Sequence, residues 1–202
     1  ERTLDKLVVE KKELSALVNQ YYNIARTNQL VNLLRGYFVS SEIQSHLAQY
    51  KIEYNDTQYF QVIICSISGD KLFDAEPDLE VFLNMKVFLL SQNISFELLQ
   101  LSNKNFVIIF NFSDKTEGNK IEKIINSLQQ YIKDKLNIPL SSSYGTIELG
   151  LIGISKSYQN AKEESTVHFF DKVINPITTK KKSSVNYYYP TDWEIQLINH
   201  LK

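Results

Sequence analysis

Between Leu4 and Asn28 apolar side chains recur in alternating steps of three and four residues: Leu4, Leu7, Leu14, Val18, Tyr21 and Ala25, with Lys11 and Asn28 as polar exceptions. A period near 3.5 residues is a coiled-coil seam, and it commits this stretch to a helix roughly 40 Å long. The bland alternative is an amphipathic helix packed only on its own domain. Spacing held over about three and a half repeats favours a homodimer joined through this helix. Leu17, Ile24, Val31 and Leu34 form a second stripe, which predicts that the later turns also pack on a globular part, and Gly36 is the expected stop.

The 202 residues suffice for one domain with appended segments. With 43% apolar and 22% charged residues the chain has the composition of a globular protein. A net charge of −1 gives no long-range field toward nucleic acid or an anionic membrane. The single cysteine, Cys65, lies in the apolar run from Val62 to Ile67 and reads as a small buried hydrophobe, which fits a reducing cytoplasm. No apolar run reaches the roughly 18 to 20 residues of a membrane span. The chain opens at Glu1 in helix-like sequence, without a start Met or signal peptide, and is expected to be a segment of a longer protein.

Ser41 and Gln44 form a capping box ahead of a short helix to about Tyr50. Tyr59 to Ile67 is β-branched, aromatic and almost continuously apolar, which predicts a strand buried on both faces. Pro77 opens a helix to about Gln92. Phe96 to Leu101 and Phe106 to Phe112, joined by Ser102, Asn103, Lys104 and Asn105, predict a hairpin. Ile121, Ile124, Ile125, Leu128, Ile132 and Leu136 line one face of a helix ending near Asn137. A strand over Ser141 to Leu149, a helix over Ser155 to Phe169 and a short strand around Val173 follow. Beyond Pro176, Lys180 to Lys182 read as a solvated linker, and Tyr187 to Tyr189 as packing residues. Thr191 and Glu194 cap a last helix. The expected class is α+β, with a mixed, largely antiparallel sheet flanked by helices and a long N-terminal helix.

At the hairpin the order of elements resembles the GGDEF (diguanylate cyclase) fold. Placing Phe106 on the motif's phenylalanine sets Ser102, Asn103, Lys104 and Asn105 on its Gly, Gly, Asp and Glu. The metal-binding aspartates of the first strand would fall near Ser66 and Ser68. The product-inhibition site of that family would need an arginine and an aspartate near Asn93 and Phe96, and has neither. Joining two nucleoside triphosphates requires a deprotonated hydroxyl and divalent metal held on carboxylates, and these side chains offer no such group. The resemblance therefore implies a non-enzyme, with no catalytic residues, no metal and no cofactor.

The chain is more closely similar to the degenerate GGDEF-like region of membrane-anchored AraC-type transcriptional regulators. In that family a Ser-Tyr-x-x-Ala motif, here Ser157, Tyr158 and Ala161, opens the last large helix, and a Tyr-Tyr-Tyr-Pro stretch, here Tyr187 to Pro190, leads to DNA-binding helices. Glu163 and Glu164 depart from the apolar residues expected after Ala161. The resemblance implies three parts: a signalling helix over 1–36, a degenerate GGDEF-like domain over 37–175, and a linker with the first output helix over 176–202. It implies a cytoplasmic relay and dimerisation domain, with the membrane sensor and the DNA-contacting domain both outside this chain. The rival reading is a receptor module that keeps the old nucleotide cleft, with Asp70 and Lys71 as contacts and Asp74 nearby; the bland reading of these three is a solvated loop. His46, His168 and His200 are scattered without ligand spacing.

Overall fold

The absence of polar alternation in Tyr59–Ile67 is explained by its place in the sheet. This strand, β1, is covered along both edges and both faces. The computed structural model describes the backbone of residues 2–38, 43–68 and 77–174 and the side chains of residues 10–38, 43–68 and 79–166. Ahead of β1 lie the helices α1 (Arg2–Arg35) and α2 (Ile43–Gln49). After it come α3 (Pro77–Ser91), β2 (Ser95–Ser102), β3 (Asn105–Phe112), a 3-10 turn at Lys115–Lys120 and α4 (Ile121–Leu136). Two short strands, β4 (Leu140–Tyr144) and β5 (Glu148–Leu149), precede α5 (Leu151–Ile174).

The sheet order is β2-β3-β1-β4, with β5 also paired to β1, and every pairing is antiparallel. Successive side chains of a strand point to opposite faces, so β1 and β3 feed two separate cores. Phe60, Val62, Ile64, Val107 and Ile109 pack with Leu30, Leu33 and Leu34 of α1, Leu47 of α2 and Ile154 and Ala161 of α5. Ile63, Cys65, Phe106, Ile108 and Phe110 pack with Val81, Met85 and Leu89 of α3 and Ile125, Leu128 and Ile132 of α4. The result is a mixed fold of helices on both faces of an antiparallel sheet, with a long N-terminal helix, as expected.

Local chemistry sets the boundaries. Gly36 (φ +73°) ends α1 and Asn137 (φ 55°) ends α4, both in the left-handed region that closes helices. Asp114 accepts from Thr116 N and starts the turn before α4, and this hydrogen bond holds its carboxyl below the usual range. In the hairpin Asn103 and Lys104 form a two-residue turn, neither with positive φ. A bulge between Gln100 and Ser102 takes up the twist that such a turn cannot supply.

Three expectations are corrected. The strand over Ser141 to Leu149 is two strands, broken where Gly145 passes against α5. The last large helix starts at Leu151, directly after Gly150 (φ +77°), and not at Ser155. No strand forms at Val173: α5 runs on through Ile174, because nothing between Gly153 and the segment before Pro176 breaks a helix, and a proline restricts the residue ahead of it. By contacts the chain divides into two compact units, Glu1–Phe169 and Phe170–Lys202. The second holds the last residues of α5. The Ser41 cap, Asp70, Lys71 and Asp74, Lys180 to Lys182, Tyr187 to Pro190, the last helix, and the side chains of Leu4, Leu7, His168 and His200 lie outside the described residues.

Candidate functional site

The residues singled out at the hairpin meet at one end of the sheet. Antiparallel register places Ser66 opposite Asn105 on one side and Ser141 on the other. Ser66 Oγ donates to Asn105 Oδ1 at 2.7 Å, and Asn105 Nδ2 donates to Ser102 Oγ at 3.0 Å. Lys104 O accepts from Ile67 N at 2.8 Å, and Ser68 N donates to Pro139 O at 2.9 Å. These neutral groups satisfy one another. Phe106 lies fully buried beneath them, 6.4 Å from the Phe82 ring. Among the described residues no three His, Cys, Asp or Glu side chains converge. His46 lies beside Phe38, 6.1 Å between rings.

Phosphoryl transfer needs metal on carboxylate oxygens, and hydroxyl and amide groups tied into each other hold a divalent cation poorly. The 202-residue chain incubated with GTP and Mg²⁺ or Mn²⁺ is expected to yield no cyclic dinucleotide by chromatography. Lys104→Asp with Asn105→Glu is expected to yield none either, because Ser66 and Ser68 remain neutral. Product above a no-protein control in either sample would sink this reading.

The Ser157, Tyr158 and Ala161 motif acts at the break in the sheet. Between β4 and β5 the inner strand β1 needs a partner at Val62, and α5 supplies it. Val62 N donates to Ser157 Oγ at 2.9 Å, while Gly145 N donates to Val62 O at 2.8 Å. Ser157 and Ala161 are fully buried, and Tyr158 packs against the same core. Glu164, out of place in an apolar pattern, accepts from Tyr144 N and so ends β4. No protein-family model matches the chain, and no curated protein matches it either.

The N-terminal seam lies open. Leu14 is 63% and Tyr21 66% exposed, with Val18 exposed between them and Ala25 half-buried. The second stripe divides: Leu34 is buried and Val31 half-buried, but Leu17 and Ile24 stay exposed. The face that α1 turns to the domain is instead Tyr22, Arg26, Leu30, Leu33 and Leu34. Arg26 Nη1 and Nη2 donate to Glu97 of β2 at 2.9 and 2.5 Å, a two-pronged pair about three-quarters shielded from solvent. The Glu97 hydrogen bond holds the Arg26 pKa above its ordinary value against the opposing effect of burial. Burial, and then the charge of Glu97, push the buried Tyr54 phenol well up beside this pair.

Two features escaped the sequence reading. Leu79, Leu83, Val87 and Leu90 form an exposed apolar stripe on α3, signalled only by their four- and three-residue spacing. A cleft of about 570 Å³ opens at the sheet end away from the hairpin turn. Gln58, Gln92, Asn93 and Asn111 bring amides to its wall, Glu53 and Glu117 carboxylates, and Lys120 a cation. The two expected inhibitor-site positions separate here: Asn93 (φ 51°) lines the cleft, whereas Phe96 packs against the core shared with α3 and α4.

Proposed function

We propose that this chain is a non-catalytic relay and dimerisation domain of a bacterial AraC-type transcriptional regulator, with a degenerate GGDEF-like fold. The observation that carries the dimer is the apolar stripe on α1, whose side chains from Glu10 to Tyr21 all lie in solvent. An isolated helix is marginal in water, and a coiled-coil seam without a neighbour gains its stability from a second helix. The same helix continues without a break into Leu30, Leu33 and Leu34 of the core, so a change imposed on its exposed half reaches the domain through a rigid element.

No described helix is long and apolar enough to cross a membrane. In this reading the membrane sensor precedes the chain, which sits on the cytoplasmic side, and DNA is contacted by an output domain beyond residue 202. Sedimentation equilibrium of the 202-residue chain over a wide concentration range tests the dimer. Reversible monomer–dimer association is expected, and a pure monomer at the highest concentration would overturn it. Deleting residues 1 to 35 is unsuitable as a control, since it removes three core leucines.

A second reading, a receptor for a nucleotide or cyclic dinucleotide, draws on the cleft near Asn93. Its described wall carries two carboxylates against one lysine, a balance that repels phosphates. Calorimetry with GTP and cyclic dinucleotides in Mg²⁺ separates the two, because the relay reading expects no heat of binding.

A further inference from the structure

The exposed side chains of α1 do not make one seam but two that overlap. Leu14, Tyr21 and Asn28 recur every seven residues. Val18 and Ala25 complete a 3.5-residue seam on one side of that line, and Leu17, Ile24 and Val31 complete another on the other side. Leu17 and Ile24 are about half exposed, and Val18 is 58% exposed, so neither seam is used up by the domain. At 100° per residue the midlines of the two seams lie about 50° apart around the helix.

The occupant that fits both is α1 of a second copy. In one seam the exposed apolar side chains are Leu14, Val18 and Tyr21, and in the other Leu14, Leu17, Tyr21 and Ile24, so either pairing would take a contiguous apolar row out of water. In a parallel pair each central position faces its own copy, so Lys11 meets Lys11 in one seam and Glu10 meets Glu10 in the other, with the opposite charge of the adjacent position flanking the same layer. Each seam brings one of these charges to its centre: Lys11 joins the Val18 seam and Glu10 the Leu17 seam.

We infer that α1 pairs with α1 of a second copy in two alternative registers, one through Val18 and Ala25 and one through Leu17 and Ile24, sharing Leu14, Tyr21 and Asn28. This rests on the proposed dimer. Because Arg26 is held by Glu97 and Leu30, Leu33 and Leu34 are locked in the core, rotating α1 in the seam loads the clamp between the helix and β2 and so acts on the packing of the attached domain. The switch between registers is then the two-state element of the relay.

Single cysteines introduced into the 202-residue chain test it, since a disulfide forms only where the two Cα atoms come within about 7 Å. The native Cys65 stays silent, being fully buried with its thiol pushed up to about 12. Tyr21→Cys is expected to cross-link as the shared position, and both Leu17→Cys and Val18→Cys to cross-link as well. Adding Lys11→Leu is expected to raise cross-linking at 18 and lower it at 17 several-fold, and Glu10→Leu to do the reverse. Cross-linking at 21 with only one of 17 and 18, unmoved by either leucine, would overturn the two registers and leave the dimer standing. No cross-link at 21 together with monomeric sedimentation would overturn the dimer itself, and the registers with it.

Discussion

Gly145→Ala is expected to cost about 2–6 kcal/mol and to lower the melting temperature by roughly 10 °C. A Cβ built on Gly145 would stand 2.1 Å from Ser157 O and 2.3 Å from Ser157 Oγ, and a backbone carbonyl cannot yield as a flexible side chain can. Relief of the clash pushes α5 from the sheet. That movement breaks the bond from Val62 N to Ser157 Oγ and strains the one from Gly145 N to Val62 O. Overpacking alone costs about 1–3 kcal/mol, and a buried N–H left without an acceptor about as much again. Ser157→Ala removes only the acceptor, and about 1–3 kcal/mol is expected. Urea denaturation of both variants checks the order. A Gly145→Ala chain as stable as the native one would show that α5 does not close the gap in the sheet.

Elements whose signal is local were legible in the residues alone. The apolar run of β1, the face of α4 and the left-handed stop at Gly36 each follow from neighbours within a few positions. Contacts between distant segments were not. Nothing within α1 says that the face holding the charged Arg26 turns inward, since its partner Glu97 is 71 residues away. The second apolar stripe looked fit to pack on the domain, yet only its Val31 and Leu34 do so. The split at Gly145 depends on a helix that begins later in the chain, so loose alternation over Ser141 to Leu149 read as one strand. At the hairpin the composition showed that carboxylates are replaced. The hydrogen-bonded closure of Ser66, Asn105 and Ser102 required the register of β1 against β3.

Val18→Glu combined with Tyr21→Glu is expected to weaken self-association at least about 100-fold while leaving the domain folded. Burying an apolar side chain of this size contributes about 1.5–3 kcal/mol, and each tenfold in affinity corresponds to about 1.4 kcal/mol. Carboxylates in adjacent layers of a symmetric seam add repulsion between like charges. Tyr21 belongs to both registers, so no rotation of the helix escapes the substitution. Both side chains are exposed, and neither belongs to the buried core. Sedimentation equilibrium reads the loss directly. Unchanged association of the double variant would place the interface elsewhere, with the exposed face of α3 the next surface to substitute.

A relay requires more than a dimer: the packing of α1 outside the domain must alter the domain. Backbone hydrogen exchange of the native chain and of the Val18→Glu/Tyr21→Glu variant measures this most directly, because it reports local opening residue by residue. Slower exchange is expected in the native chain than in the variant, in α1 from Leu30 to Leu34 and along β2 around Glu97, where the helix is clamped to the sheet edge. Identical exchange throughout the domain, with every difference confined to α1 before Arg26, would contradict the relay.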